Sequence, residues 1–183
     1  MQIKKPVKIL GVPVHPLTMN ESVAVLEEKL QKKEQAFVVT ANAEIIMMCQ
    51  QDKEYNNIVS EQADLVLPDG AGAVWAGRYL GNEVPERVAG FDLYNQLLKL
   101  SADKGYKAYF FGGAPGVAEA AKNKAEELYP GVQIVGCRNG YFTEAEEENI
   151  IKEINDAAPD MLFVALGAPK QEKWLVKYRN QLK

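Results

Sequence analysis

The sequence predicts an α/β fold, Rossmann-like, with a mostly parallel sheet, helices on both faces and a single domain. Three observations carry that expectation. The chain has 183 residues, a length that one hydrophobic core can organise. Short apolar runs rich in Val, Ile, Leu and Phe alternate with longer stretches at helical spacing, the pattern of parallel strands joined by helices. Glycine-containing joints follow several of the apolar runs and open the next helical stretch.

Taken in order, the first strand is expected over 7–14 and the first helix over 22–33, where Val23, Val25, Leu26 and Leu30 recur at amphipathic spacing and Asn20 can cap the start. A strand over 36–40 leads into a helix over 43–60, with Asn42 placed to cap it. The apolar run 64–67 is the third strand, followed by a helix holding Val74 and Trp75. A helix over 90–104 stops at Gly105, a strand follows over 107–111, and a helix over 117–129 stops at Pro130 and Gly131. Strands over 133–136 and 161–166 bracket a helix over 144–157, whose acidic start offsets the positive end of the helix dipole. The last helix is expected over 170–181. Right-handed crossovers turn this order into a doubly wound sheet.

Composition narrows the function classes. Hydrophobic residues at 47% and charged residues at 25% are globular values, outside the ranges of disordered, collagen-like or coiled-coil chains. A net charge of -4 from 21 basic and 25 acidic side chains gives no field that recruits nucleic acid. Cys49 and Cys137 are far apart and outside any CxxC spacing, as expected of reduced cytosolic thiols. The start lacks the apolar run of a signal peptide, and no stretch reaches the roughly 20 apolar residues that span a bilayer. A cytoplasmic protein is expected.

In an open parallel sheet, ligands bind beyond the C-terminal strand ends. Thr40 and Asn42, the stretch Pro-Asp-Gly-Ala-Gly at 68–72, the stretch Gly-Gly-Ala-Pro-Gly at 112–116 and the stretch Gly-Ala-Pro-Lys-Gln-Glu at 167–172 all fall there. Gly112, Gly113 and Gly116 permit close backbone approach, and Pro115 at a first helical position leaves the next amides facing a phosphate. The same glycines also serve a plain strand-to-helix turn. Gly167, Lys170 and Gln171 bring a second joint with a cation and an amide within reach of a diphosphate, or form a solvated helix start. Asp69 can take a proton from an incoming hydroxyl, or only cap the helix of Val74 and Trp75. Arg87 can grip a phosphate through paired hydrogen bonds, or pair with Glu83 or Glu86. Spacing decides none of these choices. His15, the sole histidine, lies in an N-terminal turn and is a poor base, and neither an Asp-x-Asp triplet nor a His/Asp cluster offers a metal site.

Six segments in order sharpen this reading: Thr-Ala-Asn-Ala-Glu at 40–44, Pro-Asp-Gly-Ala-Gly at 68–72, Pro-Glu-Arg-Val-Ala-Gly-Phe-Asp-Leu at 85–93, Phe-Gly-Gly-Ala-Pro-Gly-Val-Ala-Glu at 111–119, Gly-Tyr-Phe at 140–142 and Ala-Leu-Gly-Ala-Pro-Lys-Gln-Glu-Lys-Trp at 165–174. Together they resemble the WecG/TagA/CpsF family of bacterial glycosyltransferases, over nearly the whole chain. The resemblance implies inverting transfer of N-acetylmannosamine from UDP-N-acetylmannosamine to the 4-hydroxyl of N-acetylglucosamine on a diphospho-undecaprenyl lipid, a step of wall teichoic acid linkage-unit synthesis; the expectation of no metal and no cofactor comes from the residues themselves. It matches Asp69 to the family's proposed base and places Thr40, Asn42, Arg87 and Gln171 at positions similar to the family's substrate-binding residues, with Arg87 and the helix starts, where Gly113, Gly167 and Lys170 stand, as candidates for the diphosphate.

Two departures accompany the match. Ala41 stands where the family often has proline, and the chain closes at Leu182 and Lys183 before the strand, glycine-rich Phe-Asp segment and basic tail that the family carries. The expectation is a truncated core with weak or no turnover, cytoplasmic and peripheral to the inner face of the plasma membrane when that tail is present. Self-association is expected if the loss exposes an apolar surface. The competing readings are a UDP-sugar-binding or assembly module without turnover, a family member using another UDP sugar, and a dinucleotide-dependent oxidoreductase, which lacks the glycine fingerprint and its acidic partner.

Overall fold

A computed structural model describes residues 5–81 and 84–183. The chain divides into two compact units, one ending at Leu93 and the other comprising Tyr94–Lys183. Both are built from parallel strands with flanking helices, and the fold is Rossmann-like α/β.

The first unit opens with a hairpin where a single strand was expected over 7–14. β1 (Val7–Ile9) and β2 (Val12–Val14) pair antiparallel, with Ile9 opposite Val12. Leu10 and Gly11 form the two-residue loop, with φ of 47° and 85°. Two successive left-handed residues match the right-handed twist of a tight hairpin, and the continuous apolar run conceals that turn because Leu10 is itself apolar.

α1 (Met19–Lys32) begins three residues earlier than 22. Thr18, not Asn20, is its cap: the Glu21 amide donates to Thr18 Oγ1 at 3.2 Å, and the Thr18 amide donates to the Glu21 carboxylate at 2.8 Å. This reciprocal box satisfies two donors that the first turn leaves open. β3 (Val38–Ala41) pairs in parallel with β4 (Leu65–Pro68), Thr40 opposite Leu67 and Ala41 opposite Pro68. The connecting helix breaks where 43–60 was expected to be continuous. α2 (Ala43–Gln51) ends at Asp52, whose extended backbone and Oδ1, accepting from the Glu54 and Tyr55 amides at 2.9 and 3.1 Å, start α3 (Lys53–Asn57) afresh. One wide helical turn over Ile58–Gln62 completes the crossover. α4 (Ala71–Tyr79) follows β4 directly.

His15 joins the hairpin to β4. Its amide donates to the Val66 carbonyl at 2.7 Å, and its Nδ1 accepts from the Val66 amide at 3.0 Å. Burial lowers its pKa below the ordinary 6.5, against the opposing pull of the Val66 backbone. The sole histidine is thus a structural link held neutral.

α5 (Gly90–Lys104) carries the chain into the second unit. There β5 (Lys107–Gly112) lies between β6 (Gln133–Arg138) and β7 (Met161–Ala165), all parallel. Successive phenylalanines on β5 serve opposite faces, as strand alternation requires. Phe110 meets Tyr94 of α5 at 5.6 Å between ring centroids and Phe163 at 5.9 Å. Phe111 meets Trp174 at 4.8 Å and joins Ile150, Ile151, Ile154 and Tyr178 in one apolar cluster. Those partners come from α7 (Glu147–Ala157) and α8 (Lys170–Tyr178), so helices cover both faces of this sheet. α6 (Val117–Leu128) links β5 to β6, and a short 3₁₀ turn (Glu144–Glu146) precedes α7.

Candidate functional site

In the first unit the ends of β3 and β4 bring three of the expected residues together. The parallel ladder extends past β4 through the Asp69 amide, which donates to the Ala41 carbonyl at 3.0 Å. The returning segment 84–90 then lies against this edge, with the Val88 amide donating to the Pro68 carbonyl at 2.7 Å. That contact delivers the first amide of α5 to Asp69: the Gly90 N–H donates to Asp69 Oδ2 at 3.0 Å. Asp69 therefore anchors α5 instead of capping α4, whose cap position is Gly70 with no side-chain hydrogen bond. Asp69 Oδ1 accepts no hydrogen bond among the described residues. A half-buried carboxylate with one oxygen fixed and the other open can accept a proton from a hydroxyl placed beside it.

Thr40 on β3 and Asn42 just beyond its end lie at the same strand ends. A methyl group at Gly90 would lie 2.8 Å from Thr40 Oγ1, so the hydroxyl sits directly over the start of α5. Asn42 Oδ1 accepts from the Ile45 amide at 2.9 Å and caps α2, as its position in the sequence suggests. Arg87 sits in the same returning segment, exposed, with Nη2 donating to Asp92 Oδ2 at 3.2 Å. Both partners are about half exposed, 54% and 55%, and a pair so placed contributes little, about 0–1 kcal/mol. Of its expected partners, Glu86 instead accepts from the Met19 amide, and Glu83 lies outside the described residues.

The second unit gathers the remaining expected residues around the ends of β5, β6 and β7. A Cβ at Gly112 would lie 2.2 Å from the Ala165 carbonyl oxygen, so the two strand ends touch backbone to backbone only because Gly112 has none. The Gly113 amide donates to the Ala165 carbonyl at 3.0 Å, and the Gly113 carbonyl accepts from the Gly140 amide at 2.8 Å. Three loops are thus stitched together at one edge. Pro115 is not a first helical residue: α6 starts at Val117, whose amide closes a turn on the Ala114 carbonyl at 3.0 Å. The turn consumes an amide that the sequence suggests would face a ligand.

Lys170 and Gln171 open α8 at this edge. Lys170 Nζ stands 4.4 Å from the centre of the Phe142 ring and 3.5 Å from the Gly140 carbonyl, an exposed cation–π placement that leaves its ammonium accessible. Gln171 is more constrained than a solvated helix start. Its Oε1 accepts from the Gly167 amide at 3.1 Å, and its Nε2 donates to Glu172 Oε1 at 2.8 Å. Sequence reasoning missed Glu172, which is 2% exposed, and the Gly90 amide. No signal in the sequence marks either of them, since residues two apart on a helix face different sides and a backbone amide leaves no trace in side-chain identity. Among the described residues no group of three His, Cys, Asp or Glu converges as a metal site.

Parallel strands with glycine-built joints at their C-terminal ends define a Rossmann-like α/β protein. The chain belongs to the glycosyl transferase WecG/TagA/CpsF family, whose model matches residues 7–183. Its sequence is 36% identical over 151 residues to a Bacillus spizizenii protein named N-acetylglucosaminyldiphosphoundecaprenol N-acetyl-beta-D-mannosaminyltransferase, covering 82% of this chain and 58% of the relative. A Bacillus subtilis protein of the same name is 33% identical over the same coverage. A Staphylococcus aureus protein of that name is 32% identical over 177 residues, 96% of this chain and 68% of the relative. The chain thus spans 58% of the length of each Bacillus relative. Among the described residues no helix is long and apolar enough to cross a membrane.

Proposed function

We propose that this chain is the core of a UDP-sugar-dependent, inverting glycosyltransferase that moves N-acetylmannosamine from UDP-N-acetylmannosamine to the 4-hydroxyl of N-acetylglucosamine on diphospho-undecaprenol, at the inner face of the plasma membrane. The observation that carries this reading is the state of Asp69: one carboxylate oxygen held by the Gly90 amide, the other open at the C-terminal edge of β3 and β4. Inversion by direct displacement needs a base on the acceptor hydroxyl and charge stabilisation on the departing UDP. Asp69 takes the acceptor proton as the hydroxyl oxygen forms its bond to the anomeric carbon and the bond to the UDP oxygen breaks.

Thr40 and Asn42 position sugar hydroxyls beside it. Arg87, released from its weak pair with Asp92, meets the diphosphate. In the second unit, Lys170 offers a cation and Gln171 a side-chain amide to a phosphorylated ligand, and Gly113 and Gly167 allow the backbone to come close. The names of the relatives support the sugar and the lipid acceptor.

The test is a transfer assay with UDP-N-acetylmannosamine and a diphospholipid-linked N-acetylglucosamine, run beside calorimetric titration with UDP. Asp69→Asn keeps an oxygen for the Gly90 amide and removes the base, so turnover is expected to fall about 10²–10⁴-fold with UDP affinity retained. Arg87→Ala is expected to weaken UDP binding about tenfold. Undiminished transfer by Asp69→Asn sinks the base assignment. UDP binding with no transfer by the unaltered chain favours the binding-module reading instead.

A further inference from the structure

Glu172 is the one charged side chain in the fully buried set among the described residues, at 2% exposure beside Ser22 and Ser101. Among the described residues it has no ion-pair partner, Oε1 accepts from Gln171 Nε2 at 2.8 Å, and Oε2 has no hydrogen-bond partner. A buried carboxylate with a single neutral hydrogen bond is a costly arrangement, and apolar side chains of similar volume fill such positions at least as stably. The burial of a polar side chain two residues from Trp174, which packs on Phe111, calls for a structural reason.

Its effect on Gln171 gives one. Glu172 Oε1 accepts from the Nε2 end of the Gln171 amide at 2.8 Å, and the oxygen end has no hydrogen to donate there. The Gly167 amide, a donor only, requires the opposite end, and Oε1 meets it at 3.1 Å. The two contacts agree, and together they hold the Gln171 amide in one orientation. With one Nε2 hydrogen used by Glu172, the other is the group's outward donor.

We infer that Glu172 is a positioning residue: through Gln171 it fixes the loop 167–169 and presents a hydrogen-bond donor to an anionic or hydroxylated ligand at the end of β7. The ligand class rests on the UDP-sugar reading above; the orientation of Gln171 does not. The arrangement needs no contact between Glu172 and ligand, in keeping with its burial.

The experiment compares Glu172→Met, Glu172→Gln and Gln171→Ala on the full chain, with three readouts. Glu172→Met removes the acceptor and the buried unpartnered carboxyl oxygen together, so stability against urea is expected to hold or rise while the UDP dissociation constant rises about tenfold. Glu172→Gln retains an amide oxygen and restores most of the affinity. Combining Glu172→Met with Gln171→Ala weakens binding no further than Gln171→Ala alone, since the two act through one contact.

The third readout is hydrogen exchange of the Gln171 side-chain amide by NMR without ligand, slow in the unaltered protein and fast in Glu172→Met. Additive losses, or a Glu172→Met protein that loses stability but not affinity, overturn the inference. So does fast exchange in the unaltered protein. If the unaltered chain does not bind UDP, the donor reading fails, and the exchange measurement alone decides the role of Glu172.

Discussion

At the scale of single residues, the first unit's site is tied through Gly90. Its amide holds Asp69 at 3.0 Å and its Cα faces Thr40 Oγ1, where a methyl group would sit 2.8 Å away. Gly90→Ala forces either Thr40 or the start of α5 to shift, at an expected cost of about 1–3 kcal/mol. Removing the hydroxyl as well, in Gly90→Ala with Thr40→Ala, is expected to recover much of that loss, so the double-mutant cycle in urea unfolding shows coupling. Additive losses would mean that Gly90 and Thr40 do not share the contact. From the sequence, Asp69, Thr40 and Asn42 could be named as candidates because turn-forming polar residues follow apolar strands. The bond between Asp69 and a glycine amide 21 positions later could not be read, because a backbone donor leaves no trace in side-chain identity.

At the scale of elements, the hairpin of β1 and β2 shows what the sequence conceals. Leu10 is 58% exposed and held at φ 47°, a conformation in which a side chain with a Cβ is strained by roughly 1–2 kcal/mol. The Gln50 side chain of α2 donates to the Leu10 carbonyl at 2.7 Å and pins the tip in place. Leu10→Asn gives this loop the Asn-Gly pair its geometry favours, and a gain of about 1 kcal/mol is expected in urea unfolding with an unchanged denaturant slope. A loss of stability would mean that the Leu10 side chain makes contacts outweighing the backbone strain. The same masking explains two boundary shifts in this unit. Asn20 is a good capping residue placed inside a better signal, the Thr18 and Glu21 box. Asp52 is a break that helical spacing alone overrides, since the residues on either side keep an apolar face. Helix α5, by contrast, spans the residues expected of it, 90–104, because a glycine opens it and Gly105 closes it.

At the scale of the whole molecule, alternation of apolar runs and amphipathic stretches was enough to read the parallel strand pairs and the helices on both faces of β5, since Phe110 and Phe111 must point apart. Stability against pH belongs to this scale too, and its near-neutral limb rests on one group because the chain has a single histidine. His15 is held neutral with its pKa below 6.5 by burial, so protons bind the unfolded chain more readily than the folded one. Stability is then complete above about pH 6.5 and declines as the pH falls from there toward the folded-state pKa. Glu146 and Glu147 act in a separate, lower window: both carboxyls lie below the ordinary 4.5, Glu146 through hydrogen bonds from Thr143 and Glu147 through Lys177 and Tyr178 against its own desolvation. Their contribution is present above that value and lost beneath it. His15→Asn keeps an acceptor near the position of Nδ1 for the Val66 amide while removing the titration. Urea unfolding from pH 8 down to pH 3.5 is therefore expected to show a decline in the unaltered protein that begins near pH 6.5 and a flat profile in His15→Asn down to about pH 4.5, with both declining together below that. A decline of equal size in His15→Asn would place the near-neutral limb on other groups and remove His15 from the account.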